Sequence, residues 1–382
     1  VLAVINASER GAWEKVGGIP LLIRNLFYLK DTAHSFLILL SKEGSPEDIK
    51  EYKVTWRYTK GDPVSAIADL KEDFIYLDSS YLFDPRIIKK ISLQKPNVIF
   101  LYEKERIILG KLNRTGLDIW LKEGEDKLIA TSRHISFDDI ERYCEELRGN
   151  IEPYVIRIKD REDAKNATFF LIKNMQKKVM DLPAEYIDPF FENLLTYLLC
   201  NSPITPNMVT FFGLAVAILI ALLFLSGHLL IGAFCTYIVE VLDGVDGKLA
   251  RTKLQFSKLG KYECLIDYFY ENLWYLSIGI CLKRFFHFEP ALFFSFILIL
   301  SDTVDNIVYT LSNLLLKKNL DLLSPFDMAF RKIAGRRNIY CFMFMIGFSL
   351  GYYTQTFIAA SFWGFITALI HSIRLFQNLK LR

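Results

Sequence analysis

The sequence predicts two domains of different class: an α/β domain with a parallel sheet, then an all-α domain of six membrane-spanning helices. Charge distribution is the first observation behind this. Cut before Ile204, the 382-residue chain carries 62 charged residues in its first 203 positions and 27 in the remaining 179. Hydrophobic periodicity is the second. Short apolar runs alternate with one-face-apolar segments in the first part, whereas apolar stretches near the ~20-residue spanning length fill the second. The net charge of +3 argues against a nucleic-acid binder driven by bulk charge, and the 52% hydrophobic share against a disordered chain. The six cysteines are scattered without a CxxC pair, so neither a disulfide framework nor a zinc site is indicated.

Element by element, VLAVI opens the chain as a buried strand with no basic lead or cleavage pattern, so the amino terminus is expected to stay cytosolic. GIPLLIRNLFYL reads as a helix, HSFLILL as a strand, DPVSAIADL as a helix, DFIYLD as a strand, DPRIIKKI as a helix and NVIFLY as a strand. Strands of five or six residues alternating with amphipathic helices predict a parallel sheet flanked by helices over residues 1–158. Residues 159–203 hold two amphipathic helical patterns, a linker helix and one expected at the membrane surface. Residues 204–382 hold apolar stretches at roughly 207–227, 229–250, 262–282, 290–315, 337–352 and 354–375. Between them thirteen Lys and Arg fall on one side and only Lys283 and Arg284 on the other. The positive-inside rule makes the basic side cytoplasmic, together with the front domain.

The chemistry lies in the acids. Asp243 and Asp246 are spaced i,i+3, which sets their carboxylates on one helical face about 5–6 Å apart at the Cβ atoms. An uncompensated carboxylate at that depth would cost several kcal/mol, and a divalent cation carrying a phosphorylated ligand would neutralise it. Gly247 and Ala250 remove bulk just beyond, so a flat base or a pyrophosphate could approach the backbone. The next stretch presents Glu263, Asp267 and Glu271 at i, i+4 and i+8, again on one face. Two antiparallel helices with such acids make an oxygen-donor cage suited to Mg²⁺, with Mn²⁺ as a substitute. The competing interpretation is a buried salt-bridge cluster with Lys248, Arg251 or Lys261.

The string Asp243-x2-Asp246-Gly247-x2-Ala250-Arg251-x8-Gly260 resembles the signature of the CDP-alcohol phosphotransferase family, and Pro203 to Gly213 is similar to the start of that family's first transmembrane helix. The resemblance implies six-helix homodimers in a cell membrane. They would transfer a phosphate-linked group from a CDP-alcohol to an acceptor hydroxyl and release CMP. It also implies that Asn207, Thr210, Gly247, Ala250, Arg251 and Gly260 face the CDP moiety, and that Asp243, Asp246, Glu263, Asp267 and Glu271 supply metal ligands. The family pattern continues x3-Asp-x3-Asp, which here falls on Cys264 and Tyr268, while Glu263 and Asp267 keep the mutual spacing one position earlier. A second register uses Asp267 and Glu271. Asp267 is common to both and, like the family's last Asp, is the candidate general base; Glu263 is then the ligand.

Arg336 and Arg337 stand where the fifth stretch begins, and paired guanidinium groups bind phosphate oxygens in bidentate fashion. Family members with inositol-phosphate acceptors have a similar Arg-rich start, with an Asp where this chain has Asn338. Lys261 and Arg331 are further acceptor candidates, and plain positive-inside topology is the competing explanation for all four. Asp302 and Asp305 lie deep in the fourth stretch, as a second polar shell or paired within the bundle.

AWEKVGGIPLLIRNLFYL and DFIYLDSSYLFDPRIIKKI resemble parts of the sugar-nucleotidyltransferase fold, a Rossmann-type domain. The domain order resembles bifunctional proteins joining inositol-1-phosphate cytidylyltransferase to di-myo-inositol-phosphate-phosphate synthase. Active members carry a Gly-rich phosphate loop after the first strand; here the place reads INASERGAWEKVGG, and the expected metal-binding Asp falls on Ser79 or Ser80 with Asp78 beside them. The front domain is therefore expected to have lost catalysis, with Lys15 as the one position that could keep a family role. The functional expectation is an Mg²⁺-dependent CDP-alcohol phosphotransferase with a lipid bilayer around it and no nucleic-acid partner. A fully bifunctional enzyme, an ion-coupled transporter and a CDP-binding sensor are the alternatives.

Overall fold

The computed structural model describes residues 1–41, 54–59, 61–103, 106–257 and 262–380, with the backbone alone for 263 and 264. The chain divides into two compact units. One is Val1–Asn174 with Cys200–Ser202 and Thr252–Leu254; the other is Met175–Leu199, Pro203–Arg251 and Gln255–Arg382.

The first unit is built on a seven-stranded sheet: β1 (Leu2–Asn6), β2 (Ser35–Leu40), β3 (Val54–Tyr58), β4 (Phe74–Asp78), β5 (Val98–Tyr102), β6 (Arg106–Leu112) and β7 (Arg133–His134). Its order is β7-β5-β6-β4-β1-β2-β3. The central strand β1 is parallel to both neighbours, Val4 pairing with Leu37 and Tyr76. Ala3, Val4 and Ile5 are fully buried, as expected of a strand covered on both faces. The sheet is mixed rather than parallel, because β6 runs antiparallel to β4 and β5. Only 103–105 separate β5 from β6, too few residues for the crossover that parallel pairing requires. The expected helix in DPVSAIADL is a single 3₁₀ turn at Ser65–Ile67. Helices α1 (Leu21–Leu29), α2 (Pro85–Ser92), α3 (Arg114–Glu123), α4 (Glu125–Thr131) and α5 (Arg161–Asn174) complete the unit. Asp84 caps α2 by accepting from the Arg86 backbone N–H at 2.9 Å, with Pro85 at its first position.

The second unit begins with α6 (Leu182–Tyr186) and α7 (Asp188–Cys200). Helices α8 (Pro206–Leu225), α9 (Leu229–Lys253), α10 (Glu263–Phe286), α11 (Ala291–Leu311), the short α12 (Pro325–Arg331), α13 (Arg337–Ser349) and α14 (Tyr353–Lys380) follow. Six of these overlie the six apolar stretches. Among the described residues three are long and apolar enough to cross a membrane: Pro206–Leu225, Ala291–Leu316, which is α11 with the helical turn that continues it, and Tyr353–Lys380. The carboxylates of α9 and α10 lower their mean hydropathy, and α13 has only 13 residues. Interhelical packing uses small residues and side chain-to-backbone bonds. The indole N–H of Trp274 donates to Ala217 O at 2.8 Å, joining α10 to α8, and Ser295 Oγ donates to Tyr275 O at 3.0 Å, joining α11 to α10. Large apolar side chains point outward, Phe212, Leu222, Phe293, Phe296 and Phe376 among them, each more than half exposed. Such a surface is unfavourable in water and ordinary against lipid.

Candidate active site

Local spacing on three helices sets the site. Glu240, Asp243 and Asp246 follow one another at intervals of three along α9 and make one acidic edge. On α10 Asp267 and Glu271 are one turn apart. Asp243, Asp246 and Asp267 line one open cleft, together with Thr210 and Gly213 of α8 and Tyr270 of α10. Thr210 Oγ1 donates to Asp246 Oδ2 at 2.6 Å.

A guanidinium joins these acids. Arg337, the first residue of α13, donates from Nη2 to Asp243 Oδ2 at 2.7 Å. Its Nη1 lies 3.1 Å from Glu271 Oε1 and 3.4 Å from Asp267 Oδ2, and also meets the Tyr270 hydroxyl. Its Nε is ion-paired with Glu240. The competing salt-bridge interpretation named Lys248, Arg251 and Lys261, of which Lys261 lies outside the described residues. Lys248 instead pairs with Glu192 of α7 at 2.8 Å, and Arg251 Nη2 donates to Met175 O at 3.3 Å.

The other predicted residues are more dispersed. Asn207 lies in the first turn of α8, and neither it nor Gly247, Ala250 or Arg251 lines the cleft itself. Arg336 holds its guanidinium 4.5 Å above the Tyr309 ring, apart from the acids that Arg337 joins. Arg331 is ion-paired with Asp181 at 3.2 Å and with Asp321 at 3.4 Å. Gly260 and Lys261 lie outside the described residues, as do the side chains of Glu263 and Cys264. Tyr268 shares a 2.8 Å hydrogen bond with Thr303 of α11 and does not line the cleft. Asp302 accepts from Asn272 Nδ2 at 3.2 Å, and Asp305 lies 2.5 Å from His371 Nδ1.

Sequence reasoning missed Glu240 and the partners of Asn338. Glu240 could have been found, since it stands three residues before Asp243 and continues the same acidic edge. Asn338 had no such signal: its Nδ2 donates to Asp181 at 3.0 Å and to Asp188 at 2.8 Å, two residues more than a hundred positions earlier.

The donor set around the cleft fits a hard cation, because Asp243, Asp246, Asp267 and Thr210 offer oxygen and neither nitrogen nor sulfur. Among the described residues no three acidic, His or Cys side chains are spaced to hold an ion, and the Arg337 fork stands between Asp243, Asp267 and Glu271.

In the first unit Asp78 is buried, accepting from Ser80 N at 3.0 Å, Ser80 Oγ at 2.6 Å and Arg106 Nη2 at 2.8 Å. Burial raises its carboxyl above the usual range, against the pull of Ser80 and Arg106. Arg106 also reaches Glu9 at 3.1 Å. The segment after β1 folds onto itself: Trp13 Nε1 donates to Ala7 O at 3.0 Å, and Gly11 and Ala12 are buried. Lys15 is exposed on a two-stranded turn.

Residues 203–372 match the model of the CDP-alcohol phosphatidyltransferase family. No curated protein matches the chain. Among solved structures, the Mycobacterium tuberculosis phosphatidylinositol phosphate synthase with CDP-DAG bound is similar at 17% identity over 51% of this chain and 92% of that one, with a TM-score of 0.37. The 4-diphosphocytidyl-2C-methyl-D-erythritol synthase of Anaerococcus prevotii is similar at 14% identity over 44% of this chain and 97% of that one, with a TM-score of 0.30. Residues 203–372, a little under half of the chain, are thus a CDP-alcohol phosphatidyltransferase domain by their match to that family's model.

Proposed function

We propose that the chain moves a substituted phosphate group from a CDP-alcohol to an acceptor alcohol in the cleft of α8, α9 and α10, in an Mg²⁺-dependent synthesis of a phospholipid or a phosphodiester solute. The observation that carries this reading is the convergence of Asp243, Asp246 and Asp267 on one cleft. Asp243, Asp246 and Glu263 would hold the cation, whose charge would offset that developing on the pyrophosphate and the departing CMP. Asp267 takes the proton of the attacking hydroxyl on a carboxylate oxygen. The register Glu263 with Asp267, rather than Cys264 with Tyr268, is supported by the bond that occupies the Tyr268 hydroxyl at Thr303. Thr210 orients Asp246, Gly247 and Ala250 leave a low surface for the CDP moiety, and Arg336 is the acceptor-phosphate candidate left outside the acid cluster.

In this reading all six helices over the apolar stretches cross the bilayer, with their basic ends, the site and the front domain cytoplasmic, and two copies associate. The front domain stabilises or docks rather than making a CDP-alcohol. This is supported by the pairing of Asp78 with Arg106 and by the self-packed segment after β1.

The test is CMP release by purified, detergent-solubilised protein given CDP-diacylglycerol or CDP-inositol and a panel of free and phosphorylated alcohols, with Mg²⁺ or with chelator. Release with one acceptor that stops on chelation is expected; release that persists in chelator would overturn the cation's role. Silence across the panel despite CDP binding would favour a sensor.

A further inference from the structure

The acid cluster already contains a cation. The Arg337 guanidinium is 11% exposed and faces four carboxylates, those of Glu240, Asp243, Asp267 and Glu271. A guanidinium keeps its charge in any protein environment, so this compensation is permanent. Two of the four acids, Asp243 and Asp267, line the cleft; Glu240 and Glu271 do not. The contact at 2.7 Å to Asp243 Oδ2 is in the range of strong charge-assisted hydrogen bonds. An Mg²⁺ ion binds carboxylate oxygen at about 2.0–2.1 Å, so it cannot take that oxygen while the guanidinium keeps it without two cations meeting at close range.

We propose that Arg337 is a resident counter-cation that competes with the divalent cation for Asp243, and that Glu240 and Glu271 hold the guanidinium when the metal enters. The proposal rests on the reading that Asp243 and its neighbours bind the metal. Arg337 is thereby a positioning residue: it keeps the acids of α9 and α10 together without metal and weakens cation binding. Its own helix, α13, is tied to the metal state of the site.

Removal of a merely structural arginine would weaken metal binding, whereas removal of a competitor strengthens it. The experiment is titration of Mn²⁺, followed by its electron paramagnetic resonance signal, into the full-length protein in detergent as wild type, Arg337→Gln and Arg337→Lys. Arg337→Gln is expected to bind Mn²⁺ at least tenfold more tightly. Arg337→Lys should tighten it by a smaller factor, because a point charge on a single stem cannot bridge the four acids as the planar fork does. Equal or weaker binding by Arg337→Gln overturns the proposal. If that variant does not fold, judged by gel filtration, Arg337→Lys decides on the same criterion. Equal Mn²⁺ affinity in all folded forms sinks the counter-cation alone, while no Mn²⁺ binding by any form removes the metal reading with it.

Discussion

Thr210 Oγ1 lies 2.6 Å from Asp246 Oδ2, which ties the start of α8 to the acidic edge of α9. A hydrogen bond to a charged group contributes about 1.5–3 kcal/mol. Thr210→Val is therefore expected to lower kcat/KM for the CDP-alcohol about tenfold or more, and Thr210→Ser to restore most of it. Steady-state CMP release measures both, and unchanged kinetics in Thr210→Val would show that Asp246 needs no such support.

The three aspartates of the cleft should separate by role. Asp243→Asn and Asp246→Asn are expected to abolish metal-dependent CDP binding in calorimetry, since each removes a charged oxygen donor. Asp267→Asn should retain measurable CDP binding and lose turnover by roughly a thousandfold, within the usual range for general-base catalysis. Glu271→Gln, at a residue off the cleft, should cost less than Glu263→Gln. The reverse ranking would select the register built on Asp267 and Glu271.

Two glycines of α9 make a paired prediction about close approach. A Cβ at Gly244 would lie 1.9 Å from Glu192 Oε1, so α7 or the Glu192–Lys248 pair would have to move. Gly244→Ala should destabilise the helical unit by about 1–3 kcal/mol, seen as a lower midpoint of thermal aggregation in detergent. At Gly247 the nearest atom is the flexible Arg251 guanidinium at 3.4 Å. Gly247→Ala should keep the fold, and any loss should appear in CDP affinity.

The Asp78–Arg106 pair predicts a pH dependence. Burial raises the Asp78 carboxyl, so the folded chain holds its proton to higher pH than the unfolded chain does. The cost of its charge is absent below the ordinary carboxylate value near about 3.9 and grows as pH rises through that range. Removing Arg106 leaves that charge without its ion-pair partner. Arg106 is 39% exposed, so solvent replaces part of the contact. Arg106→Gln should lower the stability of the front domain by about 1–2 kcal/mol at pH 7 and by much less at pH 4. Denaturant-dependent proteolysis of residues 1–174 in the full chain reads this out, and an equal loss at both pH values would contradict it.

The division into a charged α/β half and an apolar helical half was legible in the sequence, as was the common face of Asp243 with Asp246 and of Asp267 with Glu271. The strands β3 and β6 were not legible. VTWRY is half polar and follows a charged stretch, and the direction of β6 depends on a short connection rather than on its own composition.

By itself the sequence determined what depends on neighbours a few positions away: the lengths of apolar runs, helix periodicity and the residue types along each face. Only the tertiary structure decided which faces meet. It brought Arg337 to Asp243 across 94 positions, joined Asn338 to Asp181 and Asp188, and turned Tyr268 to Thr303 while Asp267 lines the cleft. The reason is physical: helix spacing fixes a side chain's angle about its own axis, whereas its partner is set by the packing of whole helices, to which every residue in the bundle contributes.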